Sequence, residues 1–353
     1  MRNVKIKPIQ DELLQKNYLP NTKRLIMFLT PGFDIVNGGI LSISSILEET
    51  ARLKHIHGAE TTMCTVPGDP LLLRYTKFRN QNRIYRFPQV LSYFGDLQYL
   101  MIHIPEYAIE KFLNNLKNQD YLKLSKIKGL HFNILLQNID EFSEELSHPK
   151  YIERLKKLGN VTCTTAHEKY STPEVRKRLG IPLHKLSWFL SPEQYNRRGY
   201  LEKENLMVVS PDSHPMKTKI LTLIATRFSR LRIQVIQDLT YEEYKEIVSK
   251  AKWALTFGEG LDGYFVENVF SGGISFAVYE PAFFTGDFRS LRTVYTTSEI
   301  LAEKINADIE DLDNESTYND YQRKEFEICS KYFDHQKYVH NIRLFYEGKY
   351  TVK

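Results

Sequence analysis

Short apolar runs alternate with segments of helical periodicity along almost the whole of this chain, and that alternation constrains the fold more than any other feature. Runs suited to buried strands fall at residues 23–30, 61–66, 84–87, 98–104, 131–138 and 161–166, with helical patterns at 40–54, 106–117, 150–158 and 173–179 among them. Such alternation predicts a largely parallel sheet, because a parallel pair needs a crossover long enough to hold a helix. Residues 186–200, which include Pro192, Gly199 and the basic pair Arg197-Arg198, break the pattern and read as a linker. A second series follows, with strands at 206–210, 232–236, 252–257, 274–278 and 292–295 and helices at 217–230, 241–250 and 263–270. A length of 353 residues exceeds what one hydrophobic core usually organises. The expectation is an α/β protein of two Rossmann-like domains, residues 1–195 and 200–330, facing a central cleft. Beyond residue 298 the pattern is helical, and Tyr332, Phe333, Tyr338, Val339, Ile342, Phe345 and Tyr346 recur at spacings that form one apolar face.

Composition excludes several classes. No apolar run approaches the roughly 20 residues that span a bilayer. Residues 1–24 are polar and interrupted by prolines, without the apolar centre of a secretory signal, so a cytoplasmic location is expected. Cys64, Cys163 and Cys329 are odd in number and lack metal-ligand spacing; they read as reduced, structural residues. A net charge of +5 does not resemble the overall balance of a nucleic-acid binder. Between residues 74 and 87, Arg74, Lys77, Arg79, Arg83 and Arg86 are interleaved with Tyr75, Phe78, Tyr85 and Phe87. That stretch is a candidate for peripheral contact with anionic lipid at the inner face of the membrane, or for holding a phosphorylated acceptor. Its alternative is a solvated loop whose aromatics pack inward.

Function is written most densely in Phe257-Gly258-Glu259-Gly260-Leu261-Asp262-Gly263-Tyr264-Phe265-Val266-Glu267-Asn268. An apolar strand leads into it, so Glu259 is expected at the carboxyl end of a sheet, where open α/β sheets bind ligands. A helix starting near Asp262 or Gly263 places Glu267 about one turn in, within ~10 Å of the loop that carries Glu259. Both carboxylates then face one ligand. Capping alone is the competing role, while a ribose or hexose would supply the paired hydroxyl donors that such carboxylates need.

The spacing of Glu259 and Glu267, with the turn and strand Ser271-Gly272-Gly273-Ile274-Ser275-Phe276-Ala277-Val278-Tyr279 behind them, resembles the hallmark of retaining glycosyltransferases of the GT-B architecture, specifically family 4. The resemblance implies a first, acceptor domain and a second, donor domain, with a carboxyl-terminal helix at 331–353 packing back on the first. It assigns the donor-sugar contact to Glu259 and the ribose contact to Glu267, with Asp262, Tyr264 and the backbone around Gly260 and Gly263 as further donor contacts. It matches Gly38 and Gly39, which precede a helix, to the loop whose amides face the donor diphosphate; a plain tight turn is the other reading. Lys217 matches the lysine that neutralises that diphosphate, but Pro211 stands where the family has an arginine. Lys219 and Arg227 are the candidates for the missing charge, with an ordinary solvent-facing role as the other reading of each. Some family members carry a His-Glu-Pro near the position of His103, Pro105 and Glu106, and there a histidine meets the transferred sugar; packing within the core is the alternative for His103.

Polar residues also end two strands of the first series, Gln137-Asn138 and His167, and are weaker candidates at the same edge. No Asp-x-Asp lies where a metal would be expected, and no His/Cys cluster has ligand spacing. The expected activity is metal-independent, retaining transfer of a sugar from a nucleotide-diphosphate sugar, UDP-linked for preference. The acceptor is a saccharide or a lipid-linked glycan, as in polysaccharide or glycoconjugate synthesis. No further cofactor is expected. The alternatives are a sugar-nucleotide epimerase on the same architecture and a non-catalytic glycan- or membrane-binding partner.

Overall fold

The computed structural model describes residues 2–78, 80–137 and 149–353, and the side chains of residues 6–78, 80–137 and 150–353. Two compact units divide the chain, Met1–Ser187 with Gln336–Lys353 and Trp188–His335.

The first unit is built on seven strands, β1 (Arg24–Thr30), β2 (Glu60–Thr65), β3 (Ile84–Arg86), β4 (Tyr99–Pro105), β5 (Gly129–Leu136), β6 (Asn160–Thr165) and β7 (Leu183–Lys185). All pair in parallel, in the order β3-β2-β1-β4-β5-β6-β7. The strands are nearly continuous runs of buried side chains, as a sheet covered on both faces requires. Register sets His103 beside Phe28 on one side and Asn133 on the other, and Asn133 beside Thr162. A polar row therefore crosses the middle of an otherwise apolar sheet. The helix His335–Tyr346 lies over this row, with Tyr346 Oη 2.9 Å from His103 Nε2 and Asn341 Nδ2 2.9 Å from Ser187 Oγ.

The second unit has five parallel strands, β8 (Glu204–Val209), β9 (Arg232–Val235), β10 (Ala251–Leu255), β11 (Ile274–Val278) and β12 (Val294–Tyr295), in the order β12-β11-β10-β8-β9. Its core holds Met207, Val209, Trp253, Leu255, Ile274 and Phe276 from the strands, with Ile220 and Ile224 from the helix Lys217–Arg227.

Elements differ from the sequence-based expectation where polarity masked them. Residues 2–17 form a helix despite Pro8, held by the buried Gln10, whose Nε2 donates to the Ile84 carbonyl at 3.0 Å. The short strand β7 and the helices Phe87–Tyr93 and Asn118–Leu124 had too few periodic residues to register. Cys64, Cys163 and Cys329 are free and buried. No helix among the described residues is long and apolar enough to cross a membrane.

Candidate functional site

In an open parallel sheet the ligand crevice lies outside the carboxyl ends of the strands, where strand order reverses direction. In the second unit the chain steps outward from β8 to β9 and then returns to the other side of β8 with β10. The reversal thus falls between β8 and β10, which are direct neighbours. The loops leaving these two strands, residues 210–216 and 256–262, are consequently side by side. Phe257 N donates to Ser210 Oγ at 3.0 Å, and a Cβ built on Gly258 would sit 2.8 Å from Asp212 Oδ2. This is the edge that carries the Glu259 and Glu267 motif.

Three local devices shape the motif. Gly260 has φ +79°, and any Cβ there would stand 2.5 Å from Phe284 and 2.6 Å from the Val278 carbonyl, so both conformation and space demand glycine. Asp262 caps the helix Gly263–Phe270: Oδ1 accepts from Phe265 N at 3.0 Å and Oδ2 from Thr256 Oγ1 at 2.7 Å. Burial pushes its carboxyl up to about 7, against hydrogen bonds that favour the charge. Within the helix the side chain of Glu267 leans toward the amino terminus, as helical side chains do. Its carboxylate comes to rest beside Gly263, 3.8 to 3.9 Å from where a Cβ would be.

Glu267 is the best-organised polar group of the edge. It is 4% exposed, and its Oε1 accepts two hydroxyl donors, Tyr195 Oη and Tyr241 Oη, each at 2.8 Å. The two hydroxyls are 3.1 Å apart. Burial raises the pKa of Glu267, while the tyrosines oppose the shift; burial, then the charge of Glu267, also raises Tyr244 and Tyr241. Tyr241 opens the helix Tyr241–Lys250 and Tyr195 lies in the segment read as a linker. Neither was selected from sequence, since a lone tyrosine outside a motif carries no signal there. Glu259, by contrast, is exposed on the turn, with its carbonyl accepting from Leu261 N at 3.0 Å. Tyr264 is partly exposed, and burial followed by the charges of Asp262, Asp212 and Glu267 raises its hydroxyl.

Lys217 starts the helix Lys217–Arg227, an unfavourable place for a cation beside the positive end of a helix dipole. Its Nζ is held there by the Ser210 carbonyl at 2.6 Å and the Asp212 carbonyl at 2.8 Å, 5.6 Å from the centre of the Phe257 ring. Desolvation lowers its pKa and Asp212 partly restores it. Lys217 thus places one positive charge where the two loops meet, beside Asp212. Pro211 and Lys219 are exposed. Arg227 is at the far end of the same helix, paired with Glu310, and does not join this edge.

In the first unit the reversal falls between β1 and β4. Gly38 and Gly39 head the helix Gly38–Arg52, capped by Asn37, whose Oδ1 accepts from Ile40 N at 2.8 Å. Gln137 gathers the rest: its Nε2 donates to the Gly39 carbonyl at 3.0 Å, its backbone N to Glu106 Oε2 at 2.9 Å, and its carbonyl lies 3.2 Å from His167 Nε2. Burial depresses His167 to about 4. Asn138, paired with Gln137 in the sequence reading, lies outside the described residues.

His103 is not part of this edge. It is 2% exposed, stacked on Phe28 at 4.2 Å, with Nδ1 accepting from Asn133 Nδ2 at 3.0 Å and Nε2 donating to Tyr346 Oη at 2.9 Å. Burial holds its pKa well below the usual range. A ring engaged on both nitrogens and covered on its face has no surface to offer a sugar, so the sugar-contact expectation gives way to a core role. The basic stretch turns its aromatics inward. Tyr75, Phe78, Tyr85 and Phe87 are all buried, leaving Arg74 and Arg83 exposed; Arg79 lies outside the described residues. No group of three or more His, Cys, Asp or Glu side chains suited to a metal occurs among the described residues.

No protein-family model matches the chain, and no curated protein matches it. Solved structures do. An α-glucosyltransferase in complex with UDP-glucose and DNA containing an abasic site is 11% identical, with 89% of this chain and 96% of that one covered at a TM-score of 0.55. The Anabaena protein HepE in complex with UDP-glucose is 12% identical, with coverage of 92% and 99% and a TM-score of 0.58. UDP-GlcNAc 2-epimerase from Neisseria meningitidis bound to UDP-GlcNAc is 9% identical, with coverage of 92% and 99% and a TM-score of 0.50. The fold is therefore α/β of the GT-B class, with two Rossmann-like units.

Proposed function

We propose that this chain is a glycosyltransferase that takes its sugar from a nucleotide-diphosphate donor, UDP-linked for preference, with the donor bound at the carboxyl edge of the second sheet. One observation carries the reading: a buried carboxylate, Glu267, oriented by two tyrosine hydroxyls at the β8/β10 reversal. A buried carboxylate held this way is a preorganised acceptor, and the paired hydroxyls of a ribose are donors matched to it. With Oε1 occupied by Tyr195 and Tyr241, Oε2 meets the ribose. Lys217 and the amides at the head of its helix stand for the diphosphate, stabilising the charge that develops as the sugar leaves. Glu259, exposed on the adjoining turn, contacts the transferred sugar, with Asp262, Tyr264 and the backbone of Gly260 and Gly263 framing it. Gly38 and Gly39 offer amides to an anionic substrate group in the first unit. The ligands named with these similar structures, UDP-glucose and UDP-GlcNAc, support a uridine donor. Retention of anomeric configuration, independence of metal, and a saccharide or lipid-linked acceptor complete the proposal.

The decisive assay incubates the protein with UDP-, GDP-, dTDP- and CMP-sugars and measures nucleotide release, with and without chelator. Release from a UDP-sugar that chelator leaves unchanged is the expected result. No release and no nucleotide affinity would remove the assignment. Likeness to an epimerase makes isomerisation the second reading, and analysis of the recovered sugar separates the two.

A further inference from the structure

At the opposite end of the second sheet, a cavity of about 460 Å³ is lined by Arg197, Arg198 and Arg323 together with Gln322 and Phe326, and Glu327 is the acidic residue of its lining. It lies by Gly272, after the helix Gly263–Phe270 and before β11, so about a helix length of ~12 Å separates it from the head of that helix. The fold holds two of its arginines firmly. Arg198 N donates to the Ser271 carbonyl at 3.1 Å, and Gly272, with φ +88°, lies so close that a Cβ would sit 2.2 Å from the Arg198 carbonyl. Gln322, 3% exposed, donates to the Val269 carbonyl at 2.8 Å and receives Arg197 Nη2 at 2.7 Å. The Arg197 guanidinium also lies 4.2 Å over Phe326.

These cations are poorly neutralised. Arg197 makes no ion pair among the described residues; its polar partner is the neutral Gln322. Arg198 reaches Glu246 only at 3.6 Å, and Lys250 holds the same carboxylate oxygen at 2.9 Å. Arg323 pairs with Asp320 at the solvent surface, a contact that contributes little in water. Behind them the buried Lys203 is depressed to about 7, first by burial and then by the charge of Arg198. Three guanidiniums against one lining carboxylate leave a deficit of negative charge in a partly enclosed volume, which an incoming anion relieves. Guanidinium forks match phosphate oxygens in pairs. The volume exceeds what a bare phosphate fills and falls in the range of small-molecule sites, with the Phe326 ring as an apolar wall.

We propose that this cavity is a second binding site, for a small organic phosphate of sugar-phosphate size, separate from the donor edge. The test uses the full-length protein and calorimetric titration with glucose 6-phosphate, with glucose and sodium chloride of equal ionic strength as references. Glucose 6-phosphate should bind at millimolar concentration or below while neither reference does. Arg323→Gln, an exposed change that leaves the core intact, and Arg198→Gln should each weaken binding roughly fivefold or more. Lys217→Ala should leave it unchanged, since that residue serves the donor edge. Absence of binding to the wild type overturns the proposal, as does binding that survives both arginine changes or disappears with Lys217→Ala.

Discussion

The two units spend their buried polar groups differently. In the first, His103 and His184 are buried within the sheet and His131 is half-buried beside Thr162; desolvation takes His131 and His184 to about 4 and His103 well below its usual value. In the second, three carboxyls are raised, first by burial: Glu325 in the helix Glu315–Tyr332, pushed up to about 8, and Asp262 and Glu267 beyond the strand ends. Position along the strand sorts them into roles. A polar side chain in mid-strand, such as His103, is enclosed by neighbours that satisfy it. One beyond the last strand residue, such as Asp262, or leaning back to it, such as Glu267, borders the crevice where a ligand can finish the job.

The contrast can be broken most severely at Glu267. Glu267→Ala should lower kcat/KM for the donor by roughly a hundredfold or more, because a buried pair of hydroxyls loses its acceptor along with the ribose; a change below threefold would assign the carboxylate to capping or packing. His103→Ala should do the reverse. Its loss strands Asn133 and Tyr346 in the sheet interior and should cost about 2–4 kcal/mol of stability in urea titrations, with donor affinity unaltered. Reduced affinity with full stability would return His103 to the site. Lys217→Ala should slow turnover by roughly tenfold or more at saturating donor, and unaltered turnover would remove the lysine from the mechanism. Tyr195→Phe and Tyr241→Phe each take one donor from Oε1 and should raise donor KM by roughly three- to tenfold. Equal KM in both variants and the wild type would show that Glu267 needs no orientation.

Acidity sharpens the contrast further. Histidines whose pKa is lowered on folding hold fewer protons than in the unfolded chain, so their contribution is present near neutrality and lost as pH falls from about 6.5 toward 4. Carboxyls whose pKa is raised behave oppositely, and the contribution of Asp262 and Glu325 is present at low pH and lost as pH rises from about 4 through 7 to 8. Hydrogen exchange at pH 5 and pH 7 should therefore show protection shifting from the first unit to the second on acidification. A parallel change in both would mean that these buried groups do not govern stability. Glu325→Gln, neutral at any pH, should shrink the loss in the second unit.

Sequence carried the alternation of elements well, because parallel strands buried on both faces are dense apolar runs: the run at 274–278 and the helices 241–250 and 263–270 coincide with the elements found. The edge motif was legible for a related reason, since Gly260 and Asp262 are chosen by backbone geometry that leaves a mark in the residue types. What sequence left hidden is assembled across the chain. Tyr195 and Tyr241 meet one oxygen from 72 and 26 residues away, and the Tyr346 hydroxyl reaches His103 across 243 residues. Spacing contains no trace of such pairs, so resemblance to a family His-Glu-Pro suggested a sugar contact for His103 when register and the distant helix had already enclosed it.

A structure determined with bound UDP tests the central claim most directly. The ribose hydroxyls should lie within about 3 Å of Glu267 Oε2, with Tyr195 and Tyr241 still on Oε1 and the diphosphate at Lys217. A nucleotide seated away from the β8/β10 edge, or a ribose that leaves Glu267 untouched, would contradict it.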